Sequence, residues 1–502
     1  MHQYDIVIIG SGLGGLASGT ILAKEGYSVC ILEKNKQIGG MLQIFVRDRV
    51  IFDTGVHYVG GLNEGQNLNQ LFRYLGIMDK IKIRKMDENF VDGLIFNGDP
   101  VMYKYAQGYD NFIRTMMSYF PEEETAIRAF CDKIREICKQ FPLYNLKAGV
   151  YSDTEDAYQT DTQAYLETLS TNKKLLNVLA GTNLLYAGQR DKTPLFVHAL
   201  IVNHYIESSW KFVDGGSQIA KYLAKEITSR GGKILKHINI VKLKEEGGTI
   251  QYAEDENGQK FYAKTFISNV HPVKTLEMTQ SNVFRNAYKT RLKSLDSTVS
   301  VFYANVVLKK DTFKYLNSNI YCFAQEDPWC AINYTEENWP QGWAMFYVAS
   351  SDISDYAEGV TIMSYMRIDE VRKWQNTFNT VSREHERGEE YETFKHEKAE
   401  KLFDAVEKNF PGFKASIKSY TTATPLTARD YIGTDDGSLY GFAKDYREPM
   451  KTFISPRTKI PNLLLTGQNI NMHGVLGVTI SAVVTCGQLL GMEYLVEKIK
   501  NA

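Results

Sequence analysis

Tyr4-Asp5-Ile6-Val7-Ile8-Ile9-Gly10-Ser11-Gly12-Leu13-Gly14-Gly15 runs from an apolar strand directly into a glycine turn. A helical stretch follows from about Leu13 to Glu25, Gly26 punctuates it, and a second strand rises from Tyr27 to Leu32 before the acid Glu33. This is a complete β-α-β unit with the residue types that dinucleotide binding needs. Gly10 permits the tight turn, Gly12 lets backbone approach a pyrophosphate, and Gly15 lets the helix pack close to the strand. The helix N-terminus offers free N–H groups and a partial positive charge to phosphates. Glu33 lies 23 positions after Gly10, near the ~20 expected of an acid that binds a ribose diol and repels a 2′-phosphate.

The bulk composition is that of a large soluble globular protein. Its 502 residues suit several domain-sized units, and 43% hydrophobic with 23% charged residues is ordinary for a globular protein. The net charge of −1 gives no electrostatic case for nucleic acid. Aromatic residues reach 12%, enough to furnish a wide apolar cavity as well as a core. The six cysteines show no CxxC spacing, which points to a reducing compartment, and no metal site is expected. The first strand begins by Tyr4, which leaves no room for a signal peptide, and no apolar run reaches the ~18 residues of a membrane span. A cytoplasmic protein is expected.

Further along, Gln43–Arg47 and Arg49–Asp53 alternate like a hairpin with Asp48 at its turn. Phe52-Asp-Thr-Gly-Val-His57-Tyr-Val-Gly-Gly61 then sets one His and one acid among packed glycines, either against a flat ligand or as a tight turn with a core histidine. Apolar residues recur at helical spacing from Tyr109 to Phe141. Phe212-Val-Asp-Gly-Gly-Ser-Gln218 opens a helix over 219–230, followed by strands over 233–243, 249–253 and 260–267. The last of these brings Ser268 and Asn269 to a strand's C-terminal end, where open α/β sheets bind ligands. Beyond it, strands are expected over 300–308, 343–349 and 360–366, and a charged solvated helix over 382–409. Thr424–Gly433 and Gly437–Gly441 read as a polar, glycine-studded loop. Near the end, Pro461–Asn469 reads as a strand closing on Gly467, and Gly474-Val-Leu-Gly-Val478 opens a final apolar helix. A second strand–glycine–helix element so far along the chain implies that both ends share one sheet. Its helix N-terminus would stabilise negative charge on a reduced flavin.

The glycine unit, the Ile38-Gly39-Gly40 turn and the late Gly467 element together resemble the flavin amine oxidase and phytoene desaturase superfamily. Several motifs are similar to its branch of all-trans-retinol 13,14-reductases (retinol saturases), carotenoid isomerases and bacterial carotenoid desaturases. These are Asp53-Thr-Gly-Val-His57-Tyr-Val-Gly60, His204-Tyr205, Gly215-Gly216, Ser268-Asn269, Thr424–Thr427 with Arg429-Asp430-Tyr431, and Thr466-Gly467-Gln468. The resemblance implies an α/β fold: a discontinuous Rossmann-type FAD-binding domain (1–75, 212–280, 456–502) with a mixed α+β substrate domain (76–211, 281–455). It implies FAD held by Gly10, Gly12, Leu13, Gly14, Gly15, Glu33, Lys34, Gly39, Gly40, Met41 and His57. Val241, Ser268, Asn269, Gly467, Gln468, Asn469, Gly474, Val475, Gly477 and Val478 complete that set. It also implies a lipophilic polyene substrate, NAD(P)H as an external electron donor, and peripheral contact with a membrane; it is silent on oligomeric state. Two positions depart from the pattern. Gln37-Ile38 stand where many relatives carry an arginine, and Gln468-Asn469 where many carry an acid. His57, Tyr205, Arg429 and Asp430 are the polar groups expected to serve the chemistry, each with a loop-holding hydrogen bond as its alternative role. Saturation, desaturation and cis/trans isomerisation of a polyene all stay open, as do amine oxidation and non-catalytic isoprenoid-lipid binding on the same fold.

Overall fold

The computed structural model describes residues 3–149, 155–381 and 386–502. Its organising element is a five-stranded parallel sheet in the order Lys233–Lys236, Val29–Glu33, Tyr4–Ile9, Ala263–Ser268, Leu463–Leu465. The Tyr4–Ile9 strand is central, with Ile8 in register with Ile31 on one side and Ile267 on the other. Such near-continuous apolar runs are what a parallel sheet covered on both faces requires. The helix Leu13–Lys24 covers one face, and its residues from Leu13 through Ala23 are all buried. The helix Gly474–Leu490 packs beside it, with Cys486 Sγ approaching the Ser18 carbonyl at 3.6 Å, and Gly491 separates it from the last helix, Met492–Lys500.

A seven-stranded mixed sheet forms the second layer. Its order is Ile417–Ala423, Ser300–Leu308, Gly359–Met366, Gly342–Tyr347, Asn319–Phe323, Asp92–Phe96, Met102–Tyr105. The Asn319–Phe323 and Asp92–Phe96 pair is parallel and the others antiparallel. Helices Tyr109–Tyr119, Glu124–Lys139 and Leu195–Glu207 pack beside this sheet, and their buried faces join the core shared with the parallel sheet. Among the described residues no helix is long and apolar enough to cross a membrane.

Several local expectations need correction. The stretch 233–243 is two strands: Lys233–Lys236 joins the parallel sheet, while Ile240–Glu246 starts a separate antiparallel sheet with Thr249–Asp255 and Lys260–Phe261. The break falls at His237, whose φ of +61° turns the chain so that Ile238 N–H donates to the Glu33 carbonyl. The stretch 260–267 likewise divides at Tyr262. The supposed loop after Thr424 is a helix, Pro425–Ile432: Thr424 and Thr427 form a capping box and Gly433 ends it in the left-handed conformation. The hairpin is Ile44–Arg47 with Val50–Asp53, and its two-residue turn places Asp48 and Arg49 at φ of 49° and 71°, a type I′ turn built without glycine. The charged helix runs Glu389–Glu407, and residues 382–385 of that expectation lie outside the described residues.

Candidate functional site

The C-terminal ends of the parallel strands open onto a cavity of about 430 Å³. At its polar end stands the glycine turn. A Cβ on Gly15 would lie 2.1 Å from the Gly10 carbonyl oxygen, so only glycine lets the helix start this close to the strand. With its amide oxygen facing the turn, Asn269 accepts from Gly12 N and Gly15 N, both at 3.3 Å, and its own N–H donates to Ile9 O at 2.9 Å. Asn269 therefore locks the turn from the neighbouring strand. Glu33 is buried beside it. One carboxylate oxygen accepts from Ser11 N and Ser11 Oγ (2.9 and 2.6 Å), and the other from Asn35 N at 2.8 Å. Three of roughly four acceptor positions are thus used, which orients the carboxylate and leaves one for a ligand hydroxyl.

The helix Pro425–Ile432 borders this end. Asn35 Nδ2 donates to Tyr431 O at 3.1 Å and Lys34 Nζ to Asp430 O at 2.9 Å, while Tyr431 and Ile432 line the cavity. Across from the glycine turn, the helix Gly474–Leu490 presents its first turn to the same cavity, with no side chain capping it. A Cβ on Gly477 would fall 2.6 Å from the Met472 carbonyl oxygen, so that turn too depends on glycine.

The far end is aromatic. His57 stacks on Phe346, ring centroids 4.4 Å apart and 9° from parallel, with Tyr303 against its edge at 5.9 Å. Tyr58 and Tyr205 pack at 4.5 Å, and the Tyr58 and Tyr321 hydroxyls share a 2.7 Å hydrogen bond. Leu184, Leu185, Phe196 and Leu200 extend the apolar wall. Burial holds the His57 imidazole down to about 3, with the Lys211 charge adding to the effect. At neutral pH His57 is therefore a neutral ring with no imidazolium proton to give.

The residues expected to hold a cofactor line this cavity, with three exceptions. Gly15 lies against Gly10 beneath it. Ser268 is buried behind Asn269, its Oγ sharing a hydrogen bond with Thr275 Oγ1 at 2.7 Å. Val241 is 47% exposed, and Ile238, Asn239 and Ile240 line the cavity in its place because the strand break at His237 moves the crossing upstream. Of the four groups expected to serve the chemistry, His57 and Tyr205 line the aromatic end. Arg429 and Asp430 do not. Asp430 is fully buried between Arg429 and Arg387; it also accepts from Asn379 N at 2.8 Å, and Arg429 donates to the Gln375 and Thr377 carbonyls. This network ties the helix Pro425–Ile432 to segment 375–379. Its polar groups are spent on one another.

Sequence reasoning missed Tyr58, Asp92, Lys211, Tyr321 and Lys444. Asp92 and Lys211 each carried a signal: a lone charge inside an apolar strand run, Val91-Asp92-Gly93-Leu94-Ile95-Phe96 and Ser209-Trp210-Lys211-Phe212-Val213. Lys444 lines the cavity, and burial lowers its ammonium to about 8.

A flavin dinucleotide fits these residues. Three buried polar atoms on cavity-lining residues, His57 Nε2, His204 Nδ1 and Thr466 Oγ1, have no protein partner, and two helix N-termini point into one continuous space. Paired with Glu33 and the glycine turn, this is the donor set of a site for a long ligand that is phosphorylated in its middle and flat at one end.

Comparison with known proteins agrees. The family model of a NAD(P)-binding Rossmann-like domain matches residues 8–75. The chain is 26% identical to all-trans-retinol 13,14-reductase of Rattus norvegicus over 97% of this chain and 86% of that protein. It is 25% identical to the chloroplastic prolycopene isomerase 1 of an Oncidium hybrid cultivar, over 99% and 85% respectively. The fold is that of wild-type putrescine oxidase bound to putrescine, with a TM-score of 0.65, 12% identity, and coverage of 97% and 99%. Together with the site these similarities indicate an oxidoreductase-type enzyme and support a flavin cofactor.

Proposed function

We propose that this chain is an FAD-dependent oxidoreductase that adds hydrogen across a C=C bond of a lipophilic polyene. The observation that carries the reading is the continuity of one cavity from the Gly10–Gly15 turn and Glu33 to a chamber walled by His57, Tyr58, Tyr205, Tyr303, Tyr321 and Phe346. The names of the relatives, an all-trans-retinol 13,14-reductase and a prolycopene isomerase, support a polyene as the occupant of that chamber.

In this reading the cavity-lining turn Gly12–Gly14, held in place by Asn269, would cradle the pyrophosphate, and Glu33 would bind a ribose hydroxyl. The uncapped first turn of Gly474–Leu490 faces the ring system, where its positive end favours a negatively charged reduced ring. FAD, when bound, supplies hydride chemistry. The protein's part is to hold a flat apolar chain, exclude water and manage one proton. Phe346 and Tyr303 fix the His57 ring, whose neutral Nε2 offers a hydrogen bond without adding charge to the apolar chamber. Only one dinucleotide fingerprint is present in the sequence, so the reductant, NAD(P)H in this proposal, reaches the cofactor from outside.

The isomerase relative supports a second reading, cis/trans isomerisation of a carotenoid in the same chamber. One experiment decides. The purified protein is expected to be yellow with a flavin spectrum. After anaerobic reduction, mixing with all-trans-retinol or carotenoids is expected to reoxidise the flavin and give a product two mass units heavier. An unchanged mass with altered double-bond geometry selects isomerisation. A colourless protein that cannot be reconstituted with FAD sinks both.

A further inference from the structure

Beneath the aromatic chamber lies a group of titratable side chains that cofactor binding does not use. Asp92 lies in the strand Asp92–Phe96 and is 3% exposed. Asn319, directly across the parallel pair, donates from Nδ2 to Asp92 Oδ1 at 2.9 Å. The other oxygen, Oδ2, faces the Tyr58 hydroxyl at 3.2 Å, and that hydroxyl is 2.7 Å from the hydroxyl of Tyr321. Tyr58 and Tyr321 both line the cavity; Asp92 does not. The three groups thus form a hydrogen-bonded chain with one end sealed in the protein and the other at the chamber wall.

We propose that Asp92, Tyr58 and Tyr321 are a proton relay that opens into the chamber and supplies the proton needed to hydrogenate a C=C bond there. This rests on the hydrogenation reading above. Breaking the π bond and forming two C–H bonds takes a hydride, which belongs to the reduced cofactor and carries both electrons, and a proton. The relay gives only the proton: Tyr321 releases it to the substrate carbon, Tyr58 restores Tyr321, Asp92 restores Tyr58, and once the product has left, water entering the chamber returns a proton to Asp92 through Tyr321 and Tyr58.

The geometry sets the direction of transfer. Because Asn319 donates to Oδ1, that oxygen is held as an acceptor, and a proton on the carboxyl resides on Oδ2, the oxygen beside Tyr58. A protonated Asp92 then donates to Tyr58, Tyr58 to Tyr321, and the Tyr321 hydrogen turns outward into the chamber. An ionised Asp92 can only accept, and the same chain points inward. The protonation state of one carboxyl thereby decides whether the chamber wall offers a donor.

The surroundings favour the protonated form. Burial pushes the Asp92 carboxyl up to about 7, against the lowering effect of its Asn319 and Tyr58 hydrogen bonds and of Lys211. Lys211, from the strand Ser209–Phe212, is the cation facing it. Its ammonium is spent on the Ser318 and Tyr347 carbonyls at 3.1 and 3.3 Å, and burial lowers it to about 7. Tyr105, on the adjoining strand, donates to the Val178 carbonyl, and Tyr205, from the helix Leu195–Glu207, packs against Tyr58 with its ring tilted by 35°. No arginine or lysine makes an ion pair with Asp92 among the described residues.

The test compares the wild-type holoenzyme with Asp92→Asn, Tyr58→Phe and Tyr321→Phe, substitutions that keep side-chain shape. The first readout needs no turnover. Burial also pushes the Asp53 carboxyl up to about 7, so the infrared titration is read as wild type minus Asp92→Asn, and this difference is expected to show the C=O stretch of a buried carboxylic acid that disappears with a midpoint near pH 7. The second is anaerobic single-turnover hydrogenation. The wild-type rate is expected to fall as pH rises through the same midpoint, while each variant is slower by about 10²-fold and lacks that limb. A variant with wild-type rate and pH limb, or a difference spectrum without the carbonyl band, overturns the relay alone. A wild type that hydrogenates no polyene overturns the proposed function, and the relay with it.

Discussion

Asp92 also shows how one residue couples the candidate chemistry to stability. An unfolded aspartate titrates at 3.8, whereas in the fold its carboxyl stays protonated up to about 7. Between these values the folded state keeps a proton that the unfolded state releases, so stability falls as pH rises from about 4 to about 7 and levels off above. Asp92→Asn removes that dependence without removing the shape. Urea unfolding at pH 5 and pH 8 is therefore expected to show the wild type losing, relative to the variant, on the order of a few kcal/mol across the window. Parallel curves for the two proteins would mean that Asp92 is already ionised at pH 5. His57 illustrates the opposite sign. Its imidazole is lowered to about 3 by burial, so its contribution to stability grows as pH rises from about 3 and is complete above the ordinary histidine value near 6.5. The Asp92 effect is read as a difference between two proteins because such histidine terms cancel in it.

At the scale of elements, the parts of the fold that local pattern controls were legible. The strand Tyr4–Ile9, the glycine turn and the helix Leu13–Lys24 follow from an apolar run, a triplet of glycines and helical periodicity within 21 residues. What local pattern could not show was which distant partner a segment meets. Thr424–Gly433 looked like a polar loop because Thr, Arg, Asp and Tyr crowd it. The structure makes it a helix whose polar residues are consumed by Arg387 and by the backbone at 375–379. The partner Arg387 lies more than 40 positions away in a highly charged stretch, where nothing marks it as buried. The same blindness hid the relay, since Tyr58, Asp92 and Tyr321 come from three separated segments. The helix network carries its own prediction. Asp430→Ala leaves two guanidinium groups buried without their carboxylate, and removing one partner of a buried ion network costs roughly 3–5 kcal/mol. Chemical denaturation is expected to show a loss of that size, while the variant held at low temperature keeps its flavin spectrum and its wild-type hydrogenation rate. A stable variant with a collapsed rate would return Asp430 to the chemistry.

At the scale of the molecule, the cavity is assembled from segments that span almost the whole chain. The parallel sheet sets Leu463–Leu465 beside Ala263–Ser268 and Ala263–Ser268 beside Tyr4–Ile9, so its last strand in sequence stands two strands from its first. The result is that two helix N-termini 461 residues apart in sequence converge: a Cβ on Gly14 would lie 3.0 Å from the Gly467 Cα, and both Gly12–Gly14 and Gly474–Gly477 border the cavity. A ligand bridging them binds only when both ends of the chain are docked, so its binding free energy adds directly to the stability of the whole fold. At a free concentration 100 times Kd that addition is about 2.7 kcal/mol, and FAD is expected to raise the thermal midpoint of the stripped protein by a few degrees. The distribution of the effect is more telling than its size. Amide exchange on adding FAD is expected to slow in Leu13–Lys24 and in Gly474–Leu490 together, because neither helix can fray without releasing the ligand. Protection confined to residues 8–75, the stretch matched by the Rossmann-like family model, would mean that the glycine turn holds a dinucleotide by itself. The helix Gly474–Leu490 would then have no part in binding a flavin.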